Sequence, residues 1–275
     1  MNVRLVVFTD LDGTLLDATY SYAESLPALS KVLSLPGAVV LCSSKTRNEI
    51  ASLRDELRLN HPFIVENGGG VYVPESYFPF SLEGAIPEGR LQKIAPGAGI
   101  DRLRQALKDT AAKLGATVRS FESMSVAEIS QHTGLTFPQA AAAAAREFDE
   151  PFLIEDGEPK ALIAALEKQG FWVVEGGRFF HLTGKHDKGY AVKLLLNSYR
   201  RVNPSVVSVG LGDSANDVSF LREVDHPVLI RSRDGSWNPK VLSEMPAIQK
   251  SREPGPRGWS ESVERILEEK IEDRR

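Results

Sequence analysis

The 275-residue sequence holds a single cysteine, Cys42. That excludes an intrachain disulfide and any site built from several thiolates. No uninterrupted apolar run approaches the roughly 20 residues that span a bilayer, so a membrane partner is not expected. The apolar stretch before Asp10, "LVVF", is far shorter than the hydrophobic region of a secretory signal. A cytoplasmic protein, monomeric or homodimeric, is the expectation. The formal charge is −4, which provides no basic field to attract nucleic acid. An anionic substrate would therefore need a local cluster of cations. With 42% hydrophobic and 25% charged residues, the chain has an ordinary globular composition and can bury a sizeable core.

Two textures alternate along the chain. Val3–Thr9 is almost continuously apolar, as in a strand buried on both faces of a parallel sheet. A helical pattern follows at about 22–35, with Ser21 and Glu24 at capping-box spacing. "AVVLC" at 38–42 predicts a second strand, and Thr46 with Glu49 predicts a capped helix. "FIVE" at 63–66 predicts a third strand, running into the glycines of "NGGG". Strand–helix alternation of this kind predicts a doubly wound, Rossmann-like α/β parallel sheet. After about residue 79 the pattern changes. Helices are predicted near 100–114, 126–133, 138–146 and 159–169, with strands near 117–121, 152–155, 172–175 and 179–182. "EGGR" at 175–178 has hairpin-turn chemistry. From about residue 186 the first texture returns: a helix at 188–199, a strand at 206–210, a helix after Asn216, the short strand "PVLI", a loop "SREPGPRG" and a final helix from about residue 260. The predicted division is a core of residues 1–82 and 186–275 and an inserted α+β domain of residues 83–185.

The chemistry concentrates at strand ends. "TDLDGT" places Asp10 and Asp12 on one side of an extended segment, where they repel each other unless a cation lies between them. Either residue also suits an ordinary turn cap. "GLGDSAND" repeats the device after the strand at 206–210, delivering Asp213 and Asp217; Ser214 and Asp217 also have capping-box spacing. If the two strands are neighbours, four carboxylates converge, and a hard divalent cation such as Mg²⁺ suits them, since it takes carboxylate and phosphate oxygens. Ser43 and Ser44 end the second strand before a helix, where hydroxyl and backbone N–H groups suit an anion. Lys188 opens a later helix and can neutralise a phosphoryl oxygen.

"DLDGT", a serine after the second strand, the lysine of "DKG" and "GDSAND" together resemble the four motifs of the haloacid dehalogenase-like (HAD) superfamily of phosphatases. The resemblance implies a nucleophilic Asp10 that becomes an aspartyl-phosphate and an acid/base at Asp12. It implies a phosphate-holding pair, Ser43 and Lys188, and Mg²⁺ held by Asp10, the backbone carbonyl of Asp12 and Asp213, with Asn216 and Asp217 supporting the metal. "CSSKTRNEI", "FIVENGGGVY", "AREFDEPF" and "EGGRFFHLTGKHDKG" are further similar to the mannosyl-3-phosphoglycerate phosphatases. That similarity implies a phosphorylated sugar–glycerate substrate. Ser43 stands where many relatives carry threonine, and the hydroxyl is kept. For such a substrate Lys45 and Arg47 are candidate cations beside the phosphate loop. Glu66, Asn67 and Gly68 are candidates for sugar hydroxyls, and Arg146, Arg178 and His181 for the carboxylate. Arg146 also fits a solvated cation at the end of an alanine helix, and His181 an ordinary strand residue. A glucosyl epimer, a phosphomannomutase-like transfer and a non-catalytic sugar-phosphate sensor are the other readings.

Overall fold

A computed structural model of the chain describes residues 3–175 and 178–272. The first segment supplies β1 (Leu5–Thr9), α1 (Leu26–Ser34), β2 (Gly37–Cys42), α2 (Arg47–Glu56), β3 (Phe63–Val65), β4 (Gly70–Pro74), β5 (Ile86–Glu88) and β6 (Leu91–Ile94). The middle segment supplies α3 (Ile100–Leu114), β7 (Thr117–Ser120), α4 (Val126–Thr133), α5 (Phe137–Ala144), β8 (Asp149–Asp156), α6 (Pro159–Lys168), β9 (Trp172–Glu175) and β10 (Phe180–Thr183). The last segment supplies α7 (Lys188–Val202), β11 (Val207–Gly212), α8 (Val218–Leu221), β12 (His226–Arg231), α9 (Pro239–Glu244), β13 (Gln249–Pro254) and α10 (Gly255–Glu272).

The outer segments build one nine-stranded sheet in the order β13-β12-β11-β1-β2-β3-β4-β6-β5. The strands from β13 to β3 run parallel, and β4, β6 and β5 continue the sheet antiparallel. Alternate side chains of one strand enter opposite layers. Val7, Val39 and Leu41 pack with Leu29, Val32, Trp259 and Val263 on one face. Val6, Phe8 and Val40 pack with Ala191, Leu195 and Tyr199 on the other. Each such fully buried Val or Leu contributes ~1.5–3 kcal/mol, which explains why these strands read as unbroken apolar runs. β1 lies between β2 and β11, so connections leave it in both directions. That arrangement is a topological switch point, where α/β sheets bind ligands beyond the carboxyl ends of their strands.

The middle segment folds around a separate four-stranded antiparallel sheet, β7-β8-β10-β9, with its own apolar cluster of Leu103, Leu107, Phe152, Leu162 and Leu182. β9 and β10 pair as the hairpin chemistry suggests, although Gly176 and Gly177 of that turn lie outside the described residues. Three local expectations need correction. A boundary at 82/83 would assign β5 and β6 to the insert, yet β6 pairs with β4 along Val71–Pro74 and lengthens the large sheet. α1 begins at Leu26 rather than about residue 22. The Asp17 carboxylate accepts the Thr19 and Ser21 N–H groups at 2.7 and 3.0 Å, which ties up the preceding turn, and Pro27 sits in the first helical turn. The stretch expected as the loop "SREPGPRG" becomes the end of β13 and the start of α10. Ser251 is buried there and accepts the Arg231 N–H at 2.9 Å. Among the described residues, no helix is long and apolar enough to cross a membrane.

Candidate active site

The floor of the site follows from strand order. Asp10 follows β1 and Asp213 follows β11, its direct neighbour, so two distant acidic loops meet at one sheet edge. Gly13 marks how closely they meet: a Cβ on it would come 2.6 Å from Asp213 Oδ2, and its φ of +75° is one that glycine adopts freely. Lys188, at the start of α7, projects between the loops with no exposed side-chain surface. Its Nζ lies 2.6 Å from Asp10 Oδ1 and 2.6 Å from Asp217 Oδ1. The second oxygen of Asp217 accepts the N–H groups of Asp213 and Ser214 at 3.1 and 3.0 Å. Asp217 is thus both a cap for the turn that opens at Ser214, as the capping-box spacing predicts, and a second anchor for Lys188, which the sequence did not reveal.

The electrostatics follow from burial. Burial pushes the Asp10 carboxyl up to about 8 against the pull of Lys188, with Asp217 and Asp213 adding to the rise. Burial and Asp217 likewise push Asp213 up to about 6. Burial disfavours the Lys188 ammonium, but Asp10 and Asp217 outweigh it and hold the proton above the ordinary lysine range. Asp10, Asp213 and Asp217 each bring a carboxylate oxygen within 4.8 Å of the others. An all-oxygen, anionic donor set suits a hard cation such as Mg²⁺. The Asp12 carboxylate does not join this group; three acids converge rather than four.

Asp12 stands at the rim, its side chain 48% exposed and paired with Lys45 at 2.9 Å. The Lys45 ammonium also lies 4.7 Å over the Tyr20 ring. Ser43 is buried at the end of β2, with its Oγ turned back to accept the Lys45 N–H at 3.2 Å. The backbone of the phosphate loop is held by a third loop. Asn67 N–H donates to Ser43 O and Glu66 N–H to Lys45 O, both at 3.0 Å. Asn67 Oδ1 accepts from Asn216 Nδ2 at 3.2 Å, so that loop touches the Asp213–Asp217 loop as well. Gly68 is required for packing: a Cβ there would come 2.1 Å from Asp187 O at the entrance to α7.

The remaining candidates divide. Arg146 is brought to the site, and it is not the solvated helix-end cation that its position allows. Its NH1 donates to Ser44 O at 3.0 Å and pairs with buried Asp149 at 3.2 Å. Asp149 also accepts from His181 Nδ1 at 2.9 Å, so three residues of the insert form one hydrogen-bonded group against the phosphate loop. Burial raises the Asp149 carboxyl, but His181 and Arg146 together hold it below the ordinary aspartate range.

Glu66 is not free to hold hydroxyls. It is fully buried, and its carboxylate accepts the Glu147 and Phe148 N–H groups at 2.9 and 2.8 Å. It pins the insert to the core. Arg47 is occupied by Glu88 and Glu147 and lies 5.3 Å over the Tyr72 ring. Arg178 is exposed and donates to His132 O at the end of α4, within the insert. Asp149 carries a role that the sequence reading missed. Its signal was present in "REFDE", where Asp149 lies three residues after Arg146, but its other partner, His181, arrives from a strand 32 residues away.

The chain is similar to known proteins over most of its length. Residues 7–81 match the haloacid dehalogenase-like hydrolase family. A glucosyl-3-phosphoglycerate/mannosyl-3-phosphoglycerate phosphatase of Methanococcoides burtonii is 36% identical over 264 residues, covering 95% of this chain and 96% of the relative. A protein of the same name from Persephonella marina is 39% identical, covering 96% of this chain and 98% of its own. The crystal structure of a haloacid dehalogenase-like hydrolase from Bacteroides thetaiotaomicron superposes with a TM-score of 0.64 at 18% identity, covering 96% of this chain and 99% of that one, which shows the fold. The chain therefore belongs to the haloacid dehalogenase-like hydrolases and, with its full-length relatives, to the phosphoric monoester hydrolases among them.

Proposed function

We propose that the protein hydrolyses mannosyl-3-phosphoglycerate to mannosylglycerate and phosphate through an aspartyl-phosphate on Asp10. The observation that carries the reading is the pinning of one Asp10 oxygen by Lys188 at 2.6 Å, inside a group of three convergent carboxylates. That leaves Asp10 Oδ2 as the nucleophile, aligned by a bond to its partner oxygen. Attack of Oδ2 on phosphorus forms the acyl phosphate as the ester oxygen leaves. Asp12, exposed at the rim, donates a proton to that oxygen and then takes one from the water that cleaves the acyl phosphate, releasing phosphate and restoring Asp10. Ser43 and Lys188 hold the phosphoryl oxygens, and the ammonium offsets charge in the in-line transition state. Mg²⁺ held by Asp10, the Asp12 carbonyl and Asp213, in a loop that Asp217 and Asn216 support, would supply further positive charge to the phosphoryl group.

Arg146, presented by Asp149 beside Ser44, together with His181 provides cationic and hydrogen-bonding groups for the glycerate carboxylate. The substrate assignment rests on the two full-length relatives, whose names carry both mannosyl and glucosyl substrates. Those names also favour a second reading, in which the glucosyl epimer is accepted. The test is a phosphate-release panel with Mg²⁺, comparing mannosyl- and glucosyl-3-phosphoglycerate, 3-phosphoglycerate, mannose phosphates and sucrose phosphate. Highest kcat/KM on a glycosyl-3-phosphoglycerate is expected. A preference for a sugar phosphate lacking glycerate would overturn the substrate and keep the phosphatase.

A further inference from the structure

Asp12 fixes the side on which the leaving group must lie, because the acid that protonates the ester oxygen sits beside it. On that side Lys45 stands 2.9 Å from Asp12 and forms the inner end of a cleft of about 350 Å³. The cleft runs between two helical faces from different parts of the chain. The core wall carries Asn48 and Ser52 of α2, and the insert wall carries Leu135, Gln139 and Ala142 of α5 and its approach. Residues spaced by three and four share one face of a helix, and both walls have that spacing. The two walls are tied together by Thr46 Oγ1 at the cap of α2, which donates to Ala142 O at 2.9 Å.

We infer that this α2–α5 cleft is the glycosyl subsite, with Asn48 and Gln139 as specificity-determining residues that bind sugar hydroxyls. The inference rests on the reading proposed above. The volume lies within the range of small-molecule sites and accommodates one hexose with water. The chemistry is that of a sugar site. Half-buried Leu53 and Leu135 offer apolar surface for the C–H face of the ring, and Asn48, Ser52 and Gln139 offer amide and hydroxyl groups for its rim. Gln139 is already oriented: its Oε1 accepts from Thr136 N and Oγ1 at 3.0 and 2.7 Å in the helix cap. Its amide N–H₂ is left to donate. At C2 of the glycerate, the carboxylate and the sugar diverge. Arg146 flanks the phosphate loop through Ser44, whereas Lys45 and this cleft flank it through α2. The sugar and the carboxylate therefore have separate walls to meet.

The test compares kcat/KM for mannosyl-3-phosphoglycerate and 3-phosphoglycerate, which differ only by the sugar, in the full-length wild type and in Asn48→Ala, Gln139→Ala and Ser52→Trp. All three positions are exposed, and thermal melting verifies folding. The ratio of the two kcat/KM values is expected to fall ~10-fold in each alanine variant, the loss of a sugar hydrogen bond, and further in Ser52→Trp, which fills the cleft. Equal falls on both substrates, or an unchanged ratio, would overturn the subsite and leave the proposed reaction intact. A wild type that releases no phosphate from either glycosyl-3-phosphoglycerate would instead overturn the proposed reaction, and the subsite with it.

Discussion

Two lysines of the site each pair with a motif aspartate, in opposite surroundings. Lys188 lies between Asp10 and Asp217 with none of its side chain exposed. Lys45 meets Asp12 at the rim, where the lysine side chain is 15% exposed and the aspartate 48%. The floor is a fixed arrangement of charges in low dielectric, in which each ion is held by the others. At the rim the acid reaches solvent and its partner can yield to a substrate. The difference matches the division of labour in the proposed reaction: a nucleophile must be aimed, whereas an acid/base must exchange protons. The core–insert boundary adds a third arrangement: the buried Glu66 carboxylate of the core takes its N–H donors from the insert, while buried Asp149 is held by Arg146 and His181 of the insert, and Arg146 reaches across to Ser44.

The comparison is broken most severely at the floor. Lys188→Ala leaves Asp10 and Asp217 buried without their cation. A stability loss of ~3–5 kcal/mol is expected in denaturant unfolding, with turnover abolished. The same change at Lys45, on the rim, is expected to cost under ~1 kcal/mol. Equal losses for the two lysines would contradict the division into floor and rim.

Next in size is Glu66→Gln, at the boundary. One of two N–H bonds loses its acceptor, and a loss of ~1–2 kcal/mol is expected. Its pH dependence is distinctive. Burial raises the Glu66 carboxyl to about 7, against the pull of Arg146 and the two N–H donors. A carboxyl raised in the folded state adds stability fully below its unfolded value of 4.5. That contribution is lost as pH rises through about 7. The glutamine cannot titrate, so the gap between wild type and variant should narrow between about pH 4.5 and 7. A constant gap in chemical denaturation across that range would contradict a buried titrating latch. The smallest effect is expected at Arg178, whose guanidinium, among the described residues, meets the α4 end: Arg178→Ala should change KM for the glycosylated substrate less than twofold and stability by under ~0.5 kcal/mol. A tenfold rise in KM would restore Arg178 to the carboxylate site.

The floor was legible in the sequence because its geometry is local. Asp10, Ser43 and Asp213 each follow a buried apolar strand, and any parallel sheet that pairs those strands brings their ends together. Only the adjacency of β1 and β11 had to be supplied by the fold. The cation partners were less legible. Arg47 flanks the phosphate loop in sequence and Arg146 lies in the insert, yet Glu88 and Glu147 take the first, while Asp149 aims the second at Ser44. Glu88 and Glu147 lie far from Arg47 along the chain, and only the packing of β5 and the insert brings them to it. In sequence Glu66 ends a strand beside glycines and is a candidate for sugar hydroxyls, but at a φ of +47° its carboxylate turns onto the Glu147 and Phe148 N–H groups. The core–insert boundary was misplaced for the same reason: β5 and β6 are short and partly polar, and only their ladder to β4 assigns them to the large sheet.

The central claim is that Asp10 attacks phosphorus, and the most direct measurement is rapid acid quench of the Mg²⁺-loaded enzyme with ³²P-labelled mannosyl-3-phosphoglycerate, followed by peptide mapping. The account predicts a hydroxylamine-sensitive acyl phosphate on the peptide containing Asp10, absent in Asp10→Asn, whose turnover falls by ~10⁴-fold or more. Label on another residue, or an Asp10→Asn enzyme that retains wild-type turnover, would contradict it.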